Sequence, residues 1–398
     1  MPTSSADVLS LRALNRALLD RQSLLRPLPL AAAGAGGVTR AERAEFGERA
    51  ESAGRAERVI EMIEHLAGLQ AQAPFPPYYG LWSRLAGFRP DDLADLIASR
   101  RVVRMALMRG TIHLVSARDG LTLRPVLQPV LDRALNATFG RRLTGVDHDA
   151  VAAAGRILVE EKPRTFSELG AELAQRWPDH DPEALAQAVR ALVPLVQVPP
   201  RAVWGKSGPA AHTSAEAWLG RPLSPRPSLA PLVTRYLTAF GPATVRDIQA
   251  WSGLTRLREV VEELRPGLRV FRDEQGAELF DLPGAPRPDP DTPAPVRLVA
   301  EFDNLILSHA DRARVLSEGR RKQLFARPNG VFPGSVLVDG FVTGSWKLTR
   351  SRPAAVLAVD LFGPVTAGTR DAVTEEGERL LDFAAPGVAH DIRFGPLA

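Results

Sequence analysis

The stretch FGPATVRDIQAWSGLTRLREVVEEL, from Phe240 to Leu264, constrains the fold of this 398-residue chain more than any other. Thr244 is placed to cap a helix ending near Trp251. Ser252 and Gly253 supply a turn, a second helix follows, and LRVFRDEQGAELFDLP then reads as a hairpin. Helix, turn, helix and hairpin in that order make a winged-helix unit. The order occurs twice upstream. Amphipathic helices lead to VVRMALMRGTIHLVSARD, a β-branched stretch centred on Gly110, and further helices lead to VPPRAVWGKSGPAAHTSAEAWL, which reads as strand, turn and strand. No close sequence repeat accompanies the recurring elements.

Past the proline-rich connector PGAPRPDPDTPAP the pattern changes to alternating strands with glycine turns, plus one helix near RDAVTEEGERLLDFA. The expectation is a mainly α chain with β, in four parts. Residues 1–117 form a first winged helix with N-terminal helices and a flexible insertion at about 29–56. Residues 118–222 form a second winged helix, 223–285 a third, and 286–398 a small C-terminal β-barrel.

Composition excludes several kinds of function. The chain has no cysteine, which removes disulfides, thiolate zinc sites and cysteine nucleophiles together. The seven histidines are scattered without a His-x-x-x-His pair, and no glycine loop has the phosphate-cradling form, so neither metal nor cofactor is expected. No run of eighteen or more apolar residues occurs. The opening MPTSSADVLSLRALNRALL reads as a cap and an amphipathic helix, not a signal peptide, and a cytoplasmic, nucleoid-associated protein is the expectation. Net charge is +4, and lysine occurs only at Lys162, Lys206, Lys322 and Lys347. Arginine forks suit phosphates and guanine edges, but compositional bias accounts for most of this excess, so charge permits a nucleic-acid partner without requiring one.

Where the helix RVIEMIEHLAGL gives out, the chain places Gln70 and Gln72 one residue apart, before Pro74, Pro76 and Pro77. In a continuous helix residues two apart diverge, whereas in an extended segment they share a face. Ala73 precedes a proline and favours extended backbone, so the helix is expected to unwind near Gln70 and aim both amides at one site. By spacing alone, an ordinary polar helix terminus is the simpler reading. The carboxylates are less promising. Asp91 and Asp92 open a helix, where acids suit the dipole, and Asp303 and Asp311 fit a structural turn with an internal Asp–Arg pair.

Other segments offer contacts to DNA. Arg109, Thr111 and His113 alternate along a presumed strand and so face one way, with Arg and Thr suited to phosphates. Asn304, His309, Arg312 and Arg314 lie in NLILSHADRAR, Trp346 and Lys347 in VFPGSVLVDGFVTGSWKL, and Trp204 and Lys206 at an expected wing tip. For each the competing reading is structural: a hydrogen-bonded histidine, a polar loop or a packed tryptophan.

Nearly the whole chain resembles the AlkZ-like (YcaQ-like) winged-helix DNA glycosylases. The resemblance rests on GLQAQ at Gly68 to Gln72, on MRGTIHLVSARD, on VQVPPRAVWGKSG, and on FDNLILSHADRARV followed by VLVDGFVTGSWKL. It implies a C-shaped DNA-binding architecture, a β-hairpin that engages the minor groove, and excision of alkylated purines, including bulky adducts or interstrand crosslinks at guanine N7. It further implies that Gln70 and Gln72 form the glycosylase Gln-x-Gln motif, the first Gln being tied to catalysis.

The chemistry agrees with a neutral amide. Hydrolysis of a glycosidic bond builds oxocarbenium character on the sugar. Alkylation at N7 makes the base cationic, so it departs neutral and carries much of its own activation. A carboxamide then suffices to orient water through its carbonyl and amide groups. The sequence thus points to a monomeric, monofunctional glycosylase acting on double-stranded DNA with alkylated purines, without membrane or metal. It is monofunctional because no lysine stands in the motif to form a Schiff base. The alternatives are a winged-helix transcription regulator, supported by residues 244 to 262, and a non-catalytic DNA-damage binder.

Overall fold

A computed structural model describes residues 7–30, 48–325, 333–350 and 353–397. Most of the expected insertion, residues 31–47, lies outside the described residues.

Local signals set the helices. Ser10 caps Leu11–Arg21 by accepting from Ala13 N. Thr244 caps Val245–Ser252, where Asp247 reciprocates to close a capping box, and Gly253 ends that helix at φ 80°. Arg258–Leu264 follows, then the antiparallel strands Arg269–Asp273 and Glu278–Asp281. The helix–turn–helix and hairpin are therefore formed by the residues that announce them.

The upstream hairpins do not stay separate. Val102–Ala106 and Ile112–Ser116 pair as a hairpin, but Leu195–Gln197 adds to the free edge of Val102–Ala106, and His212–Ser214 adds to Leu195–Gln197. Leu69–Gln70 completes the opposite edge against Ile112–Ser116. One five-stranded sheet thus carries strands from both of the first two regions. Residues 198–211, expected as a tight wing, form a long loop between its last two strands. Val8–Leu9 likewise joins the downstream hairpin, parallel to Arg269–Asp273.

The C-terminal strands alternate as expected but do not close into a barrel. Arg297–Val299, Gly334–Val338, Phe341–Arg350 and Ala354–Leu361 form an antiparallel run. The helix Ala367–Ala384 then carries the chain back, so Ala389–Phe394 pairs parallel to Ala354–Leu361 and ends at the edge of an open sheet. Antiparallel neighbours can be joined by a tight turn, whereas a parallel neighbour needs such a crossover, and here it leaves the first and last strands apart.

One apolar core runs across these regions. It joins Leu18 and Leu19 of the first helix, Tyr236 and Trp251, the hairpin residue Met105, and Leu305 and Val342 near the C-terminal sheet. Such a core fixes the segments rigidly against one another, and residues far apart in sequence can hold a precise geometry between them.

Candidate active site

The helix Glu48–His65 stops where Ala67 (φ 53°) and Gly68 (φ 92°) turn left-handed. A Cβ on Gly68 would lie 2.7 Å from Val115 Cγ1, so glycine is what lets the chain press against the hairpin. Leu69 and Gln70 then pair with Leu114 and His113. In the extended backbone that follows, Ala71 is fully buried and Gln70 and Gln72 take the other face. The two side chains are held differently. Gln72 is exposed, its Oε1 accepting from Ile112 N at 3.2 Å. Gln70 is 8% exposed.

Gln70 is held by Arg109. Arg109 Nη2 donates to Gln70 Oε1 at 2.6 Å and to Asn304 Oδ1 at 3.0 Å, while Nη1 donates to Trp251 O at 2.7 Å. Asn304 closes the ring by donating from Nδ2 to Gly68 O at 3.4 Å. Arg109 does not lie on a strand. It occupies the left-handed turn between the hairpin strands at φ 57°, and this turns its guanidinium towards the motif. Gly253 of the helix–turn–helix backs it so closely that an added Cβ would stand 3.1 Å from Arg109 Cα. Burial and the neighbouring Arg312 push the Arg109 guanidinium down to about 10, which leaves it charged at neutral pH.

Gln70 and Asn304 line a cavity of about 10 Å³, room for one water. Its other polar walls are Gln22, Arg84, Asp303 and Glu301. Asp303 is committed: Arg84 donates to both of its oxygens at 2.9 Å, and it also caps the helix Asn304–Leu307. Its partner is Arg84, not a local arginine. Glu301 is half-buried, and burial raises its carboxyl above the usual range against the opposing pull of Lys347. The sequence reading passed over Glu301, which sits beside Asp303 with nothing in its local pattern to mark it. Asp92 pairs with Arg55, and Asp311 caps a turn through Ala313 N.

Several other expected contacts are built into the fold. His113 lies beside Gln70 across the strand pair but is fully buried, and burial pushes its imidazole down to about 3. Thr111 donates to Met108 O within the turn. His309 is buried between Ser308 and Phe240 O and pushed down to about 3, again by burial first. Arg314 is buried, donating to Pro242 O. Trp346 packs into the C-terminal sheet, donating from Nε1 to Val299 O. Trp204 stacks among Phe75, Tyr78, Tyr79 and Phe383. His113, His309, Arg314 and Trp346 are buried, and none of these four presents its polar end to solvent. Arg312 is half-buried over the Phe325 ring, and Lys206 and Lys347 are exposed. The structure thus gathers Gln70, Arg109 and Asn304 into one hydrogen-bonded set, with Thr111, His113 and Gln72 alongside.

Residues 63–383 match the family model for AlkZ-like DNA glycosylases. The chain belongs to the AlkZ-like DNA glycosylase family. Among solved structures it is similar to the Streptomyces sahachiroi DNA glycosylase AlkZ, with a TM-score of 0.73 and 19% identity over 98% of this chain and 100% of that one. At that identity the likeness establishes the fold. A comparison with curated proteins returned no match. Among the described residues no helix is long and apolar enough to cross a membrane, and no group of three or more His, Asp or Glu is placed to hold a metal ion.

Proposed function

We propose that the protein is a monofunctional, cofactor-free DNA glycosylase that hydrolyses the N-glycosidic bond of cationic alkylated purines in duplex DNA. N7-alkylguanine is the simplest substrate of this class, and bulky adducts or crosslinks at the same nitrogen share its charge. The observation that carries the reading is the hold of Arg109 on Gln70 at the edge of a one-water cavity. A carbonyl oxygen has two lone pairs. Arg109 takes one of Gln70 Oε1, which fixes the amide's orientation and leaves the second to accept from a water. Gln72 steadies the strand from the exposed side and contacts the sugar–phosphate.

In the reaction the water oxygen bonds to C1′ as the bond from C1′ to the base nitrogen breaks. The electron pair of that bond stays with the base, which leaves neutral because alkylation had made it cationic. An amide is too weak a base to keep the water's proton, which passes to the Glu301 carboxylate in the same cavity. That carboxylate also opposes the positive charge developing on the sugar. None of the four lysines lines the cavity, which supports hydrolysis over a Schiff-base route.

Among the two hairpin turns beside Phe341–Arg350, the one at Asp339 is docked on the first helix through Arg12 and Arg16. The turn after Arg350 is therefore the one proposed for the minor groove, and its residues 351–352 lie outside the described set. The test is incubation with duplexes carrying either N7-methylguanine or uracil at one position, followed by hot alkali. Strand breaks are expected at N7-methylguanine alone; excision of uracil contradicts the mechanism.

A further inference from the structure

The sheet that carries Gln70 has a second cavity on its opposite face. Cross-strand register places Arg104 beside Gln197, and Gln197 beside His212. Arg104 is 3% and His212 2% exposed, yet Arg104 Nε and Nη1, Gln197 Oε1 and both ring nitrogens of His212 have no hydrogen-bond partner. Arg201 Nε, nearby, shares that condition. Buried polar groups in folded proteins are nearly always paired, so this concentration requires an explanation.

Arg104, Gln197 and His212 line a space of about 10 Å³, together with Arg124, Arg190 and the Phe166 ring that stacks on His212 at 4.2 Å. The charge is one-sided. Arg104, Arg124, Arg190 and Arg201 form no ion pair among the described residues. The single carboxylate acting on the three lining arginines is Asp132, which faces Arg124. Burying cations without a counter-charge is expensive, and the cost falls when an anion joins them.

We propose that this cavity binds a monatomic anion, chloride in ordinary solution, held by Arg104, Arg190 and His212. Arg104 offers Nε and Nη1, His212 offers the N–H of its neutral ring, and the Gln197 carboxamide turned over offers Nε2. The space admits an ion scarcely larger than water, so phosphate, sulfate and the DNA backbone do not fit. The position has a consequence for the catalytic face. Arg104 Nη2 donates to Ala71 O at 2.6 Å, and Arg190 Nη2 donates to Gly110 O at 2.7 Å. Ala71 separates the two motif glutamines, and Gly110 follows Arg109. An ion that fixes the two guanidiniums therefore pins both segments of the Gln70–Arg109 pair from behind.

The decisive experiment is bromide exchange into crystals of the full chain, read by anomalous diffraction. A bromine peak between Arg104, Arg190 and His212 is expected; solvent density there without anomalous signal, a water only, overturns the proposal. In solution, the melting temperature is expected to rise by about 1–2 °C per tenfold increase in sodium chloride above the dissociation constant, with sodium gluconate holding ionic strength constant. Coincident melting curves in chloride and gluconate also overturn it. Arg190→Met is expected to lose this chloride dependence; should that variant not fold, the bromide measurement on the parent still decides. Neither readout uses DNA, so failure here leaves the glycosylase reading intact, and failure of that reading leaves this one intact.

Discussion

Two cavities of equal size lie on opposite faces of one sheet, and they differ in how charge is balanced. Behind the sheet, arginines converge with a single acid, Asp132, facing one of them. On the catalytic face every cation has a fixed acceptor: Arg84 has Asp303 and Gln22, and Arg109 has Gln70, Asn304 and Trp251 O. The first cavity calls for an anion. The second is balanced in charge and offers a visitor a neutral amide of fixed orientation and one carboxyl whose ionisation burial disfavours. Such a wall suits a substrate that brings its own positive charge, since nothing in it must be neutralised before the bond breaks. On the proposed function, a weak catalytic group is useful when its orientation is precise and the charge needed resides in the substrate.

The contrast can be broken at the charge-balanced face first. Removing Arg84 leaves Asp303 buried without its partner, and Arg84→Met is expected to lose about 3–5 kcal/mol of folding stability in urea unfolding. A loss below about 1 kcal/mol would show that Asp303 reaches water and that this face is not internally closed. Arg109→Met keeps the bulk but frees Gln70 to rotate. Its single-turnover rate on N7-methylguanine duplex is expected to fall about 10²-fold. A rate near the parent's would mean that the amide is oriented by something else.

Protonation sharpens the comparison. Burial raises the Glu301 carboxyl, so the folded state holds this proton more tightly than the unfolded chain does. Its ionisation costs stability as pH rises from the ordinary carboxylate range through the raised value, and its charge is lost on the way back down. Glu301→Gln is therefore expected to be slightly more stable than the parent at neutral pH. Its base release is expected to be about tenfold slower, without the parent's decline on acidification. An unchanged acid limb would remove Glu301 from the mechanism. The buried histidines act in the opposite sense. His113 and His309 are neutral in the fold, pushed down to about 3, and take up protons on unfolding at about 6.5. Each contributes stability that is lost as pH falls below that value, by up to about 1.4 kcal/mol per pH unit. His113→Gln and His309→Gln should each reduce the slope of stability against pH between 6 and 4. The smallest effect expected is that of Gln72→Ala, a few-fold in rate, because its recorded partner is an edge amide at the surface.

Local chemistry made much of the fold legible. Thr244 and Gly253 bracket a helix as their types require, and the Ala73–Pro74 pair marks the extended segment that gives Gln70 and Gln72 a common face. Strand alternation identified the C-terminal strands but not their closure, because open or closed depends on where the crossover helix returns the last strand. It likewise could not show that two hairpins merge into one sheet, since register between distant strands leaves no trace in either. The motif itself was visible, but its setting was not. Arg109 reaches Gln70 only because of a left-handed turn, and Asn304 joins from 195 residues further along the chain. Trp346 and His309 show the converse: polar-tipped residues that suggest contact in sequence are buried, Trp346 donating to Val299 O and His309 held between Ser308 and Phe240 O.

The most direct measurement is single-turnover release of N7-methylguanine from duplex DNA by the parent and by Gln70→Ala, with melting temperatures recorded alongside. The account predicts a rate about 10²–10³-fold lower in the variant, with its melting temperature nearly unchanged. Release at the parent's rate by a folded Gln70→Ala protein would contradict it.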